Sequence, residues 1–241
     1  MAITDFHAKV REHELLGGKF QYIDFELVSP PRIQFTAGQY LLMRIPGLDQ
    51  LKSYSIASSP DQDHSVEVLV DISPGGEGSL YLASLAPGDE VSFKAPVGVF
   101  TVADPAGDIG REEKKLLFIA TGSGISSIRS HVLDLLQTKK DKREIYLHWG
   151  FRYAEELFWE EDFRQLAEYF PNFHFDLVLS RPPKDWPLCS GYVTDCVVTH
   201  HRDFSQVGAY LCGNAQMILD MKKILEEKGV PRQRIHTEQY Y

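Results

Sequence analysis

The strongest constraint in this 241-residue sequence is a change of pattern near Arg111. Before it, over residues 7–100, short apolar or alternating runs are broken by turn residues. Val66, Val68 and Val70 alternate around Glu67 and Leu69, and turns fall at Pro46-Gly47, Pro74-Gly75-Gly76 and Pro87-Gly88. Short strands at such spacing predict an antiparallel β-barrel or sandwich. One inserted helix is expected where Leu80, Leu82 and Leu85 follow Ser79 with no breaker before Pro87. After Arg111, buried strands over 116–120, 145–149, 174–179 and 209–212 alternate with helices over 126–137, 155–169, 192–200 and 215–228. That β-α succession predicts a parallel, doubly wound α/β sheet, whose ligands sit beyond the carboxyl ends of its strands. The sequence therefore predicts a domain over 1–108 and a second over 109–241, with the linker in the Asp-, Gly- and Pro-rich stretch 103–113.

Charge narrows the function classes. The net charge is −9, and residues 1–110 hold 7 Lys+Arg against 15 Asp+Glu, which leaves the second half near balance. A chain of this sign is a poor match for nucleic acid or an anionic membrane surface. No apolar run approaches the length of a membrane span. Cys189, Cys196 and Cys212 lack paired short spacings, so neither a disulfide framework nor a cysteine-ligated cluster is expected, and a cytoplasmic location is. His200-His201 near Asp203 suggests no metal: adjacent residues on a helix diverge, and no further ligand spacing supports a site.

Four stretches carry candidate chemistry. Thr121-Gly122-Ser123-Gly124-Ile125-Ser126 follows a buried strand and opens a helix, where free N–H groups and the helix dipole favour an anion. Ser127 stands where a third glycine would complete the Rossmann fingerprint, so a plain strand-to-helix turn is the competing reading. Lys52-Ser53-Tyr54-Ser55 offers a cation, a ring for stacking and a hydroxyl, or an ordinary strand. Gly75-Gly76-Glu77-Gly78-Ser79 forms a second nest suited to phosphate, or a hairpin turn with a helix cap. Cys212-Gly213 ends a strand at the same rim as Thr121, where the thiol faces either the core or a ligand.

In this order, and with Phe35-Thr36-Ala37-Gly38-Gln39-Tyr40, Pro96-Val97-Gly98-Val99-Phe100 and Ser180-Arg181-Pro182, these motifs make a chain that resembles the ferredoxin–NADP reductase family over nearly its whole length. The resemblance implies an FAD-binding barrel over 1–108 and an NAD(P)H-binding α/β domain over 109–241. It implies that Tyr54 stacks on the flavin and that Ser55 hydrogen-bonds near its N5 atom, with Ser53 beside them. Lys52 stands where the family usually carries an arginine for the flavin phosphate, and it keeps the charge without the planar fork. Gly76, Gly78 and Ser79 are implied to hold the pyrophosphate, which favours FAD over FMN, while Leu69 and Val70 offer backbone to the flavin. On the nucleotide side the resemblance assigns Thr121, Gly122, Ser123 and Gly124 to the pyrophosphate, Cys212 and Gly213 to the nicotinamide, and Arg152, Ser180 and Arg181 to the adenosine ribose. Tyr192, where a further cation would help pair a 2′-phosphate, points to NADH rather than NADPH. Glu238-Gln239-Tyr240 resembles the family's terminal Glu-x-aromatic, with Glu238 relaying a proton and Tyr240 covering the flavin, although a frayed terminus reads the same way.

The resemblance thus implies an oxidoreductase passing a hydride from NADH or NADPH to FAD, with Ser55, Cys212 and Glu238 as catalytic residues. Electrons then go to an acceptor protein such as ferredoxin, flavodoxin or an oxygenase component. A subunit of a multi-protein redox complex, a free-flavin reductase and a nonenzymatic interaction subunit are the other readings.

Overall fold

The computed structural model describes residues 2–107 and 112–239. Strands β1 (Thr4–Leu16), β2 (Phe20–Ser29), β3 (Tyr40–Met43), β4 (Lys52–Ser55), β5 (Ser65–Asp71) and β6 (Glu90–Val97) form an antiparallel sheet ordered β4-β3-β6-β1-β2-β5. Among the described residues, the two ends of this sheet meet at a single bridge between Ile56 and Val68, so the barrel is curled but not closed by a continuous ladder. Its interior is packed by Phe25, Leu41, Met43, Ile56, Val66 and Val68, among others, at the alternating positions that face inward. The inserted helix α1 (Glu77–Ser84) starts two residues before the expected Ser79.

The second half carries β7 (Lys115–Thr121), β8 (Glu144–Phe151), β9 (Phe173–Leu179), β10 (Cys189–Ser190), β11 (Val207–Gly213) and β12 (Ile235–Gln239), all parallel and ordered β10-β9-β8-β7-β11-β12. Helices α2 (Ile125–Leu133), α3 (Glu160–Tyr169), α4 (Val193–His200) and α5 (Ala215–Glu227) connect them. The four expected strands are present, and β10 and β12 add one at each edge. The helix expected over 155–169 is shorter, because Trp159 takes a left-handed conformation (φ 51°) that breaks the chain between a 3-10 turn, Ala154–Glu156, and α3. Trp159 is held there by the guanidinium of Arg129, 4.6 Å above its ring, and by an edge-on contact with Tyr22. Among the described residues, no helix is long and apolar enough to cross a membrane.

The two sheets share a core. Phe20, Leu69 and Phe100 from the barrel half belong to the same buried cluster as Phe118, Ile128, Trp149 and Phe158. Burying a side chain the size of Phe20 contributes roughly 1.5–3 kcal/mol. Arg129 on α2 then crosses to the barrel, where it donates to the carbonyl of Ala57 at 3.0 Å and pairs with the buried carboxylate of Glu67. Lys19 and Glu156 pair across the same junction at 2.6 Å. A mostly buried ion pair is no strong source of net stability, so these contacts fix orientation while the shared apolar cluster supplies the adhesion. The expected linker boundary at 108/109 lies outside the described residues.

Candidate functional site

Strand β4 is where the site begins. Its period of two places Lys52 and Tyr54 on one face and Ser55 on the other. Lys52 and Tyr54 meet the start of α1: a Cβ on Gly78 would lie 2.4 Å from Oη of Tyr54 and 3.1 Å from Cγ of Lys52. Only a residue without a side chain lets the helix start pass that ring. The cap residue Gly76 makes no side-chain bond to the first turn, so the α1 amino end presents backbone N–H groups next to Lys52. Ser79 instead donates to the carbonyl of Gly76 at 2.8 Å. Burial pushes the Tyr54 phenol up to about 12, so the ring stays neutral. Ser53 is exposed. Leu69 and Val70 are buried by their side chains, but they lie on the outermost strand, past the Ile56–Val68 bridge, where that edge is unpaired within the sheet.

Ser55 points the other way, into the junction. Its Oγ donates to Oε2 of Glu238 at 2.9 Å, and the Cys212 thiol lies 3.9 Å from the same oxygen. The register explains the meeting: β12 runs parallel to β11, and Glu238 pairs with Cys212. The C-terminal stretch is therefore a sheet strand up to Gln239 rather than a frayed end; Tyr240 lies outside the described residues. Burial raises the Glu238 carboxyl above its ordinary value, against the opposing pull of Ser55, Ser127 and Cys212. Ser126 donates to the carbonyl of Ser55 at 3.0 Å and so ties the start of α2 to β4. Ser126 ended a candidate stretch in the sequence, though not for this contact, and Arg129 was not singled out. Their position directly after the Gly-Ser-Gly turn was the available signal, but only the docked barrel gives them partners.

The nucleotide side is built from the ends of β7 and β11. Gly122 (φ 51°) to Gly124 form a 3-10 turn, and α2 begins at Ile125 with no side-chain cap on its first turn. Thr121 Oγ1 accepts from the backbone N–H of Asn214 at 2.8 Å, which locks the two strand ends together, while the carbonyl of Gly122 accepts from the Trp149 indole at 3.0 Å. Gly213 (φ 131°) passes so close that a Cβ would lie 2.3 Å from Thr121 Oγ1. Ser123 is half-buried in the turn. Further along the rim, the backbone N–H groups of Ser180 and Arg181 bond the carbonyls of Phe151 and Arg152 at 3.0 and 2.9 Å. These bonds bring both arginines beyond the ends of β8 and β9. Arg181 donates to the Tyr153 hydroxyl at 3.0 Å, Arg152 is exposed, and Tyr192 is 71% exposed.

The structure thus gives each half an uncapped helix start, α1 beside β4 and α2 after β7, and brings Ser55, Glu238 and Cys212 together at the junction of the halves. Residues 7–102 match the oxidoreductase FAD-binding domain, and residues 118–223 match the oxidoreductase NAD-binding domain. The phenol hydroxylase P5 protein of Acinetobacter pittii is 34% identical over 244 residues, which cover 99% of this chain and 66% of that protein. Ferredoxin–NADP reductase B of Sorangium cellulosum is 29% identical over 98% of this chain and 97% of its own length. A solved ferredoxin NADP+ reductase from Neisseria gonorrhoeae, with bound FAD and NADP, superposes with a TM-score of 0.79 at 19% identity, covering 100% of both chains.

Proposed function

The chain belongs to the ferredoxin reductase-like family of FAD- and NAD-binding oxidoreductases, and from that membership we propose that it is a reductase drawing hydride equivalents from a nicotinamide nucleotide and passing electrons to an acceptor protein. The observation that carries this reading is the Ser55–Glu238–Cys212 group, set between two helix starts contributed by different domains. FAD fits the first cradle: the space a Gly78 Cβ would fill lies beside the Tyr54 ring, an uncapped helix start and Lys52. A helix amino end with an adjacent cation is suited to a pyrophosphate. When bound, the flavin supplies the two-electron chemistry, and the protein supplies placement and electrostatics.

The residues have distinct tasks in this proposal. Tyr54 gives the ring platform, and Lys52 with the backbone of Gly76, Gly78 and Ser79 holds phosphate charge. Leu69 and Val70 offer free strand-edge backbone. The first turn of α2, with Gly122, Ser123 and Gly124, holds the donor's pyrophosphate, and Thr121 keeps that turn in register with Gly213. Cys212 borders the nicotinamide. Ser55 orients the reacting face, and its hydroxyl and the Glu238 carboxylate form a two-link path for a proton leaving the junction. The shared aromatic cluster behind them excludes water.

Purified protein should be yellow, with FAD as the extracted flavin, and should bleach when a reduced nicotinamide nucleotide is added without oxygen. Colourless protein that gains no flavin on titration would overturn the reading. The kinship with a phenol hydroxylase protein supports an oxygenase component as acceptor, and that with a ferredoxin–NADP reductase supports ferredoxin. The acidic flavin half favours the oxygenase component over an acidic ferredoxin. Cys189, Cys196 and Cys212, which lack the paired short spacings of a disulfide framework, support a cytoplasmic setting.

NADH is the expected donor. A 2′-phosphate needs charge-assisted hydrogen bonds, each contributing roughly 1.5–3 kcal/mol, to offset its desolvation. Arg181 already donates to Tyr153, and Tyr192 adds no charge. The kcat/KM for NADH should equal or exceed that for NADPH with ferricyanide as acceptor, and Arg181→Ala should alter the NADH value little. A tenfold preference for NADPH that collapses in Arg181→Ala would assign the arginine to a 2′-phosphate.

A further inference from the structure

Away from the junction of the halves, on the opposite face of the parallel sheet, five chemistry-bearing side chains converge that the sequence scatters over more than fifty positions. His148 on β8 and Asp176 on β9 are register partners, so they stand side by side. Cys196 and His200 occupy positions i and i+4 of α4, which puts both on one face of that helix. This helix packs over the strands with Val178, Val193 and Val197, outside the aromatic cluster that faces the barrel. Cys189 arrives on the edge strand β10.

We propose that His148, Asp176, Cys196 and His200 bind one divalent transition metal, zinc by the chemistry of the donors, as a structural clamp between α4 and the sheet. Their ligand atoms all lie within 4.8 Å of one another. His148 Nδ1 is 3.3 Å from Asp176 Oδ2 and 3.6 Å from Cys196 Sγ, and His200 Nδ1 is 2.9 Å from Asp176 Oδ2 and 3.8 Å from Cys196 Sγ. A tetrahedral zinc with bonds of about 2.3 Å to sulfur and 2.0–2.1 Å to nitrogen or oxygen requires ligand–ligand edges of about 3.3–3.6 Å. The four distances, from 2.9 to 3.8 Å, bracket that range.

Charge and surroundings agree. Thiolate and carboxylate together neutralise a dication, and the two imidazoles add donors without charge. The site itself then carries no net charge. On binding, the Cys196 thiol gives its proton to solvent as the metal–sulfur bond forms. His148 is fully buried and its other nitrogen lies 2.8 Å from Nε2 of His201, the outer partner that orients a ligating imidazole. His200 is exposed, which leaves an entry path. Cys189 Sγ sits just outside the set, 3.7 Å from His200 Nε2 and 2.9 Å from Cys196 Sγ. A disulfide between the two cysteines would account for the last distance alone. It would not account for two imidazoles and a carboxylate aimed at the same point.

The test uses the 241-residue chain, FAD-loaded, freed of metal with a chelator and then titrated with zinc chloride against a chromophoric chelator. Uptake of about one zinc per chain is expected, with cobalt substitution giving the intense visible bands of a tetrahedral thiolate site. His200→Ala and Cys196→Ser should each weaken zinc binding at least about tenfold, and Cys196→Ser should also remove the sulfur-to-cobalt band. His200 lies exposed at the end of its helix, so its variant keeps the test valid if Cys196→Ser does not fold. Substoichiometric uptake, or uptake unchanged in a folded variant, would overturn the site. So would freshly purified protein in which Cys189 and Cys196 are joined as a disulfide and which still takes up no zinc after reduction.

Discussion

Replacing Glu238 by Gln should lower the rate of acceptor reduction about a hundredfold while the FAD content stays unchanged. The carboxylate accepts from Ser55 at the junction of the two halves, and an amide of the same shape cannot take a proton from that hydroxyl. Positioned proton transfer is typically worth 10²–10⁴-fold, and about 10² is the lower end. The pH profile separates this role from packing. Burial raises the Glu238 pKa, so the carboxyl is still protonated at pH values where an exposed carboxylate has ionised. A protonated carboxyl cannot act as the base, so wild-type turnover should fall as pH drops through that raised pKa, and the fall should be absent in Glu238→Gln. Stability has the opposite sign. The native state holds this proton more tightly than the unfolded chain does. Its stabilising contribution is therefore present below the ordinary carboxylate pKa and lost as pH rises through the raised one. Steady-state rates across pH, with melting curves of the same samples, check both. A variant with wild-type rate and an unchanged acid limb would remove Glu238 from the proton path.

Gly124→Ala is expected to be the most damaging small substitution in the nucleotide half. A Cβ there would lie 2.3 Å from the carbonyl oxygen of Cys212 and 2.7 Å from the backbone nitrogen of Gly213. Both are backbone atoms in a strand paired on both sides, so no rotamer change relieves the clash. Overpacking of this kind costs about 1–3 kcal/mol, occasionally more. At roughly 2–4 °C per kcal/mol for a domain of 150–250 residues, the melting temperature should fall measurably. Function should suffer further. Relief of the clash moves the first turn of α2 away from Cys212, which separates the proposed pyrophosphate cradle from the proposed nicotinamide border. The KM for the donor should therefore rise at least about tenfold, while FAD stays bound through the distant Gly76–Ser79 turn. Wild-type melting and donor KM would show that the turn can be widened at no cost, against the proposed subsite.

The sequence was legible where a local pattern decides the outcome. Alternation at Val66, Val68 and Val70 predicts a strand because period two is a property of an extended chain, and β5 spans it. Glycines at 122 and 124 mark a strand-to-helix turn because backbone must approach backbone there, and the structure places that turn between β7 and α2. The ordered motifs were enough to point to the family and to its two cofactors. Local pattern was weaker where the backbone departs from its regular period: the left-handed Trp159 splits a helix that the sequence reads as continuous, because its partners Arg129 and Tyr22 come from elsewhere in the chain.

What only the tertiary structure decided are the long-range meetings. Glu238 reaches Ser55 because β12 joins the sheet beside β11 and the barrel docks on the same rim, a contact across 183 positions. Arg129 finds Glu67 and Ala57 for the same reason. The cysteines and histidines show the limit most sharply. In sequence, the cysteines lack paired short spacings and the His200-His201 pair was read against a metal, although Cys196 and His200 stand one helical turn apart. In space, strand register sets His148 beside Asp176, and one turn of helix sets Cys196 above His200, so the donors meet. Spacing along a chain reports on sites built within one element. A site assembled from two strands and a helix depends on sheet order and helix docking, which are fixed by burial of the whole core rather than by any local run of residues.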